Sequence, residues 1–138
     1  MMMRAAAALA LFCGFADPSV ATEWVNCAAP DGAASIDYLA GTLGVLNVSG
    51  LTVTVGDKVW ASDVAYGPGD PVAVGQAFET ADTVAIDAVT PDVSARIAEL
   101  RLFKASEGDS VAYAGTLRLP GIGAYPVTCL GPEPSLAD

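Results

Sequence analysis

Residues Leu51–Val55 read LTVTV, and this strict alternation decides the fold class. Leu51, Val53 and Val55 fall on one face of an extended chain, and two threonines fall on the other. Such a two-residue period is that of a half-buried β-strand, and β-branched residues suit a pleated surface. The same period recurs in both directions. Ile36, Tyr38 and Ala40 share a face in SIDYLA, and Val72, Val74 and Phe78 are aligned in VAVGQAF. Val84, Ile86 and Ala88 align in TVAIDA, and Val111, Tyr113, Gly115, Leu117 and Leu119 align in SVAYAGTLRL. Turn residues separate these runs at Pro30-Asp31-Gly32, Gly56-Asp57, Gly67-Pro68-Gly69-Asp70-Pro71, Glu107-Gly108-Asp109 and Pro120-Gly121. Short strands punctuated in this way predict an all-β domain, a small antiparallel sandwich or barrel of roughly seven to nine strands.

Two segments fit the pattern less simply. TPDVSARIAELR offers Thr90 as an N-cap, Pro91 at a first helical position, and Val93, Ile97 and Leu100 at helical spacing. AELRLFKA alternates instead, so a strand from about Ile97 to Lys104 is expected, preceded by a loop or one helical turn near 91–97. In GTLGVLNVSG, Gly41 to Gly50, the glycine spacing suits either a bulged strand or a loose connection.

The first 21 residues have the three parts of a secretory signal. Arg4 is the charged start, Ala5 to Ala16 is a small and apolar run, and Ser19-Val20-Ala21 offers small residues to a signal peptidase. That run is shorter than the roughly 20 residues needed to cross a bilayer, so no stable membrane insertion is expected. A second small-residue site ends at Ala16. Neither Cys13 nor Cys27 has the small preceding residue that a lipoprotein anchor needs, since they follow Phe12 and Asn26. A periplasmic or secreted protein is therefore expected, with a signal peptide at 1–21, one β domain at 22–131 and a frayed tail at 132–138.

Cleavage removes Cys13 and leaves Cys27 and Cys129 near the two ends of the chain. In an oxidising compartment an even pair reads as a disulfide. Val25 and Cys27 share one strand face, as do Tyr125, Val127 and Cys129, which suits a buried bridge between first and last strands. Pro126 suits an edge position. In the chain-entropy picture, closing so long a loop stabilises by about 4–5 kcal/mol.

Composition narrows the function. Six basic residues face sixteen acidic ones, for a net charge of −10, and losing Arg4 and Asp17 with the signal leaves that balance unchanged. Such a charge repels the phosphate backbone and anionic membranes, so no nucleic-acid partner is expected. It favours solubility or a cationic partner. The chain has no histidine, which rules out Ser-His-Asp and Cys-His catalysis and histidine-ligated metals. Two cysteines supply half a zinc shell, and no cofactor motif is present. Oxygen ligands for calcium exist in Asp63…Asp70 and in Asp82, Asp87 and Asp92, but a step of five alternates faces, and turn or solvent-face positions explain them.

What remains as the expectation is an exported, non-enzymatic binding or interaction module whose partner the sequence does not name, a basic extracellular or periplasmic protein being the class that the charge favours. Its sharper form is an acidic inhibitor of a cationic secreted enzyme, although the Ser-Gly-x-Arg-Tyr-like segment used by lysozyme inhibitors of similar architecture is absent. The loop AYGPGDP supplies the candidate contact residues Tyr66, Gly67, Pro68, Gly69 and Asp70. Trp60, between Val59 and Ala61, reads as a core residue. The alternatives are a small hydrolase and a structural envelope protein. The hydrolase would use paired carboxylates or a Ser-Lys pair such as Lys58 with Ser62 or Lys104 with Ser106.

Overall fold

The computed structural model describes residues 22–42 and 45–130. Within them the chain forms ten strands: β1 (Thr22–Ala28), β2 (Ala34–Thr42), β3 (Leu46–Val55), β4 (Lys58–Ala61), β5 (Asp70–Pro71), β6 (Ala73–Glu79), β7 (Thr83–Val89), β8 (Arg96–Glu107), β9 (Ser110–Leu119) and β10 (Gly123–Leu130). The leader at 1–21 and the tail at 132–138 lie outside the described residues.

The strands make one sheet in the order β5-β4-β3-β2-β1-β10-β9-β8-β7-β6. All neighbours are antiparallel except β4 and the two-residue β5. The topology is two meanders, β1–β4 and β6–β10, joined where the first strand pairs with the last. The sheet curls until β6 lies against β3, so it is nearly closed around one core. The seam is covalent: Cys27 stands directly opposite Cys129 and is bonded to it across 102 residues of chain.

Alternation fills that core as the hydrophobic pattern requires. Ile36, Leu51, Val53, Ile86, Leu100, Leu117 and Leu119 are essentially without exposure, and Tyr38 and Trp60 are also buried. Each such aliphatic side chain contributes on the order of 1.5–3 kcal/mol relative to exposure.

Bulges decide the two places where alternation breaks. In β3, Gly50 pairs with Leu39 and Val48 with Ala40, leaving Ser49 as the extra residue. The bulge reverses parity, so Val48 and Leu51 both face inward. The described part of Gly41–Gly50 is thus bulged strand, and Leu43 and Gly44 lie outside the described residues. A second irregularity between Val74 and Ala77 turns Phe78 outward, where it is 59% exposed. Phe78 therefore does not share a face with Val72 and Val74 as simple alternation implies.

Residues 91–95 form a turn, and β8 starts at Arg96, so the helix considered near 91–97 gives way to strand. The Thr90 hydroxyl accepts from the backbone N–H of Ser94 and Ala95, and Asp92 accepts from the Thr90 and Ser94 hydroxyls at 2.6 and 2.7 Å. These short polar side chains satisfy the backbone locally, which competes with a helical turn. Pro126 also departs from expectation, because β10 is an interior strand. It tolerates proline because pairing with β1 covers only Thr128–Leu130.

Candidate functional site

On β1, the inward parity of Val25 and Cys27 sends Trp24 and Asn26 to the outer face. Trp24 stands opposite Leu39, and Leu39 stands opposite Gly50. Tyr66 comes down over that glycine from a single 3-10 turn, Val64–Tyr66. A Cβ at Gly50 would lie 2.5 Å from the tyrosine Cε2, so the ring occupies the space a side chain would take. The turn is held by the Asp63 carboxylate, which accepts from the Ala65 N–H at 2.8 Å, and it leaves through Gly67 at φ 121°, a conformation that favours glycine. Ser62 anchors the turn to β3: its Oγ accepts from Leu51 N–H and its N–H donates to the Leu51 carbonyl, both at 2.9 Å.

Trp24 and Tyr66 meet edge to face, with ring centroids 5.2 Å apart and planes at 80°. Beside them opens a depression of ≈ 350 Å³ lined by Trp24, Asp37, Thr52, Ala65 and Tyr66. The Asp37 carboxylate accepts from the Asn26 amide at 2.5 Å and from the Thr52 hydroxyl at 3.3 Å. An exposed aromatic face thus adjoins an oriented carboxylate.

The structure divides the five loop residues singled out in the sequence: Pro68, Gly69 and Asp70 line one open hollow of ≈ 690 Å³ with Asp57, Lys58 and Val59, while Tyr66 faces elsewhere. Tyr66 belongs with Trp24. Gly67, Pro68 and Gly69 line a second hollow of ≈ 450 Å³ with Ser62, Asp63 and the exposed Val64. Asp70 pairs with Lys58 at 3.5 Å, and Lys58 also lies 5.1 Å from the ring of the buried Trp60. Trp24, Asn26, Asp37 and Thr52 escaped sequence reasoning, although parity with Cys27 was enough to mark Trp24 as an outward tryptophan.

Charge is uneven between the two halves of the domain. Residues 22–71 hold Glu23, Asp31, Asp37, Asp57, Asp63 and Asp70 against Lys58 alone. Every arginine of the domain lies on the other side, around two carboxylates that alternation would place in solvent. Asp87 and Glu99 face each other across β7 and β8 on the outer side, yet are only 5% and 6% exposed. Arg101 donates to Asp87 at 2.8 Å, and Arg96 and Arg118 donate to Glu99 at 2.7 and 2.6 Å. Arg96 also approaches Asp87 at 3.8 Å. The guanidinium groups lie over the carboxylates and screen them from solvent, which differs from the open cleft that a carboxylate-pair hydrolase uses.

Among the described residues no three Cys, Asp or Glu side chains are grouped to hold a metal ion. Asp82 sits in the β6–β7 turn, Asp87 in the ion-pair cluster and Asp92 in the β7–β8 turn, so the three do not converge. No helix among these residues is long and apolar enough to cross a membrane. Comparison with protein-family models, with curated proteins and with solved structures finds no match.

Proposed function

We propose that the protein is an exported binding module that engages a basic extracellular or periplasmic protein through the outer face of β1–β3. The observation that carries this reading is the Trp24–Tyr66 pair beside Asp37, within residues 22–71, which hold six acidic residues and one basic one. A lysine or arginine of the partner lays its charged head over the face of Trp24 and against the Asp37 carboxylate. Cation–π contact contributes about 0.5–2 kcal/mol, and a hydrogen bond to a charged group about 1.5–3 kcal/mol. The surrounding negative potential speeds encounter and makes it salt-dependent. The leader pattern at 1–21 supports export, and the Cys27–Cys129 disulfide is compatible with an oxidising compartment.

Inhibition of a cationic secreted enzyme is the specific form of this activity that the charge favours. The test is capture of periplasmic or extracellular proteins on the immobilised protein. A basic partner is expected at low salt and is released near 1 M salt, where the Debye length is about 3 Å. Retention of the same partner by Trp24→Ala at undiminished level would overturn the assignment of the face.

A further inference from the structure

The inward face of β8 changes character along its length. Ala98, Leu100 and Leu102 are buried and apolar, but the next two positions of that parity are Lys104 and Ser106. They stand opposite Tyr113 and Val111 on β9, at the end of the curled sheet where the β6–β7 and β8–β9 turns lie. A cavity of ≈ 490 Å³ opens there, lined by Asp82, Lys104, Ser106, Val111 and Tyr113. Lys104 is largely withdrawn from solvent, with 16% of its side chain exposed, and its Nζ donates to Glu79 Oε1 at 2.6 Å. Its backbone N–H donates to the Asp82 carbonyl at 2.8 Å, which fixes the β6–β7 turn against β8. Buried Tyr38 lies nearby, its phenol pushed up by burial and by the charges of Tyr113 and Glu79. Ligand sites are common in the mouths of curled and closed sheets.

We propose that this mouth is a binding site for a small neutral polyhydroxylated ligand, a saccharide unit. The lining chemistry selects the class. An anion would find Lys104 already neutralised by Glu79, with Asp82 beside it. A cation would have to displace Lys104 from that same carboxylate. An apolar ligand would leave the serine hydroxyl and the Tyr113 phenol without partners. A Lys–Glu pair, in contrast, presents donors and an acceptor side by side. Vicinal hydroxyls satisfy both, accepting from one group and donating to the other. Tyr113 adds an aromatic ring for the C–H face of a sugar, and Ser106 adds a further hydroxyl. The site is separate from the Trp24–Tyr66 face and does not rest on its assignment.

The experiment is an amide-shift titration of the purified protein with glucose, galactose, N-acetylglucosamine and their disaccharides. Inorganic phosphate and spermidine serve as charged comparisons. Saturable shifts confined to residues 79–83, 104–106 and 111–113 are expected with at least one sugar. Lys104→Gln, and separately Tyr113→Leu in case the first variant misfolds, should weaken that sugar about tenfold while keeping the native amide spectrum. The proposal is overturned if no sugar moves these amides, if phosphate or spermidine saturates them instead, or if both folded variants bind as the parent does.

Discussion

Gly50 is the residue on which the outer face turns. A glycine inside a strand ordinarily weakens it by about 0.5–1 kcal/mol relative to alanine, so Gly50→Ala would be stabilising if the position were open. It is occupied by the Tyr66 ring, with Cε2 and Cζ at 2.5 and 2.8 Å from the site of a Cβ. Gly50→Ala is therefore expected to destabilise by about 1–3 kcal/mol, as overpacking does. Urea unfolding gives the sign. Near-UV circular dichroism should also change, because Tyr66 must lift away from Trp24. The ion cluster shows what a single residue conceals in sequence. Glu99 alternates with core leucines and so reads as a solvent-face residue, and only the register that brings Arg118 opposite it, with Arg96 three residues earlier, explains its burial.

At the scale of elements, alternation was enough to place β2, the second half of β3 and β9, because each buries one face only, and it also placed β7, whose outward Asp87 is buried by its ion pairs. It failed wherever one extra residue entered a strand. Phe78 reads as inward from Val72 and Val74, and the bulge that turns it out leaves no mark beyond Gly75-Gln76. The turn at Thr90–Ala95 was equally hard to read, since Thr-Pro-Asp suits both a helix start and a local hydrogen-bonded loop. Its structure has a consequence for pH. The hydroxyls of Thr90 and Ser94 hold the Asp92 carboxyl at about 2, below its ordinary 3.8. A carboxylate with a depressed folded value stabilises the fold above its unfolded value and loses that contribution as pH falls through the folded one. The loop's contribution should therefore be complete above pH 3.8 and fade towards pH 2. In thermal melts across that window, Asp92→Asn should reduce the acid slope and leave the pH dependence above it as in the parent protein. An unchanged acid slope would show that the Asp92 interactions do not form in solution.

For the whole molecule, the sequence conveyed the covalent logic well. Two cysteines at inward parity near the chain ends imply adjacent terminal strands, and Cys27 does face Cys129 in the β1–β10 seam that joins the meanders. In the chain-entropy model a loop of this length accounts for about 4–5 kcal/mol. The placement of charge across the fold was not available from composition, because a net −10 has no direction until the strands are ordered. Once they are, Lys58 is the only cation on the first meander and is paired to Asp70, while the arginines are engaged on the second. The acidic, aromatic face around Asp37 follows from that separation. The most direct measurement is titration of an arginine-rich peptide into the protein and into Asp37→Asn at low salt, followed by amide shifts at Trp24, Asn26 and Thr52. Binding that falls about tenfold in Asp37→Asn, equivalent to about 1.4 kcal/mol, is the predicted result. Equal affinity for both proteins, or shifts centred away from these residues, would contradict it.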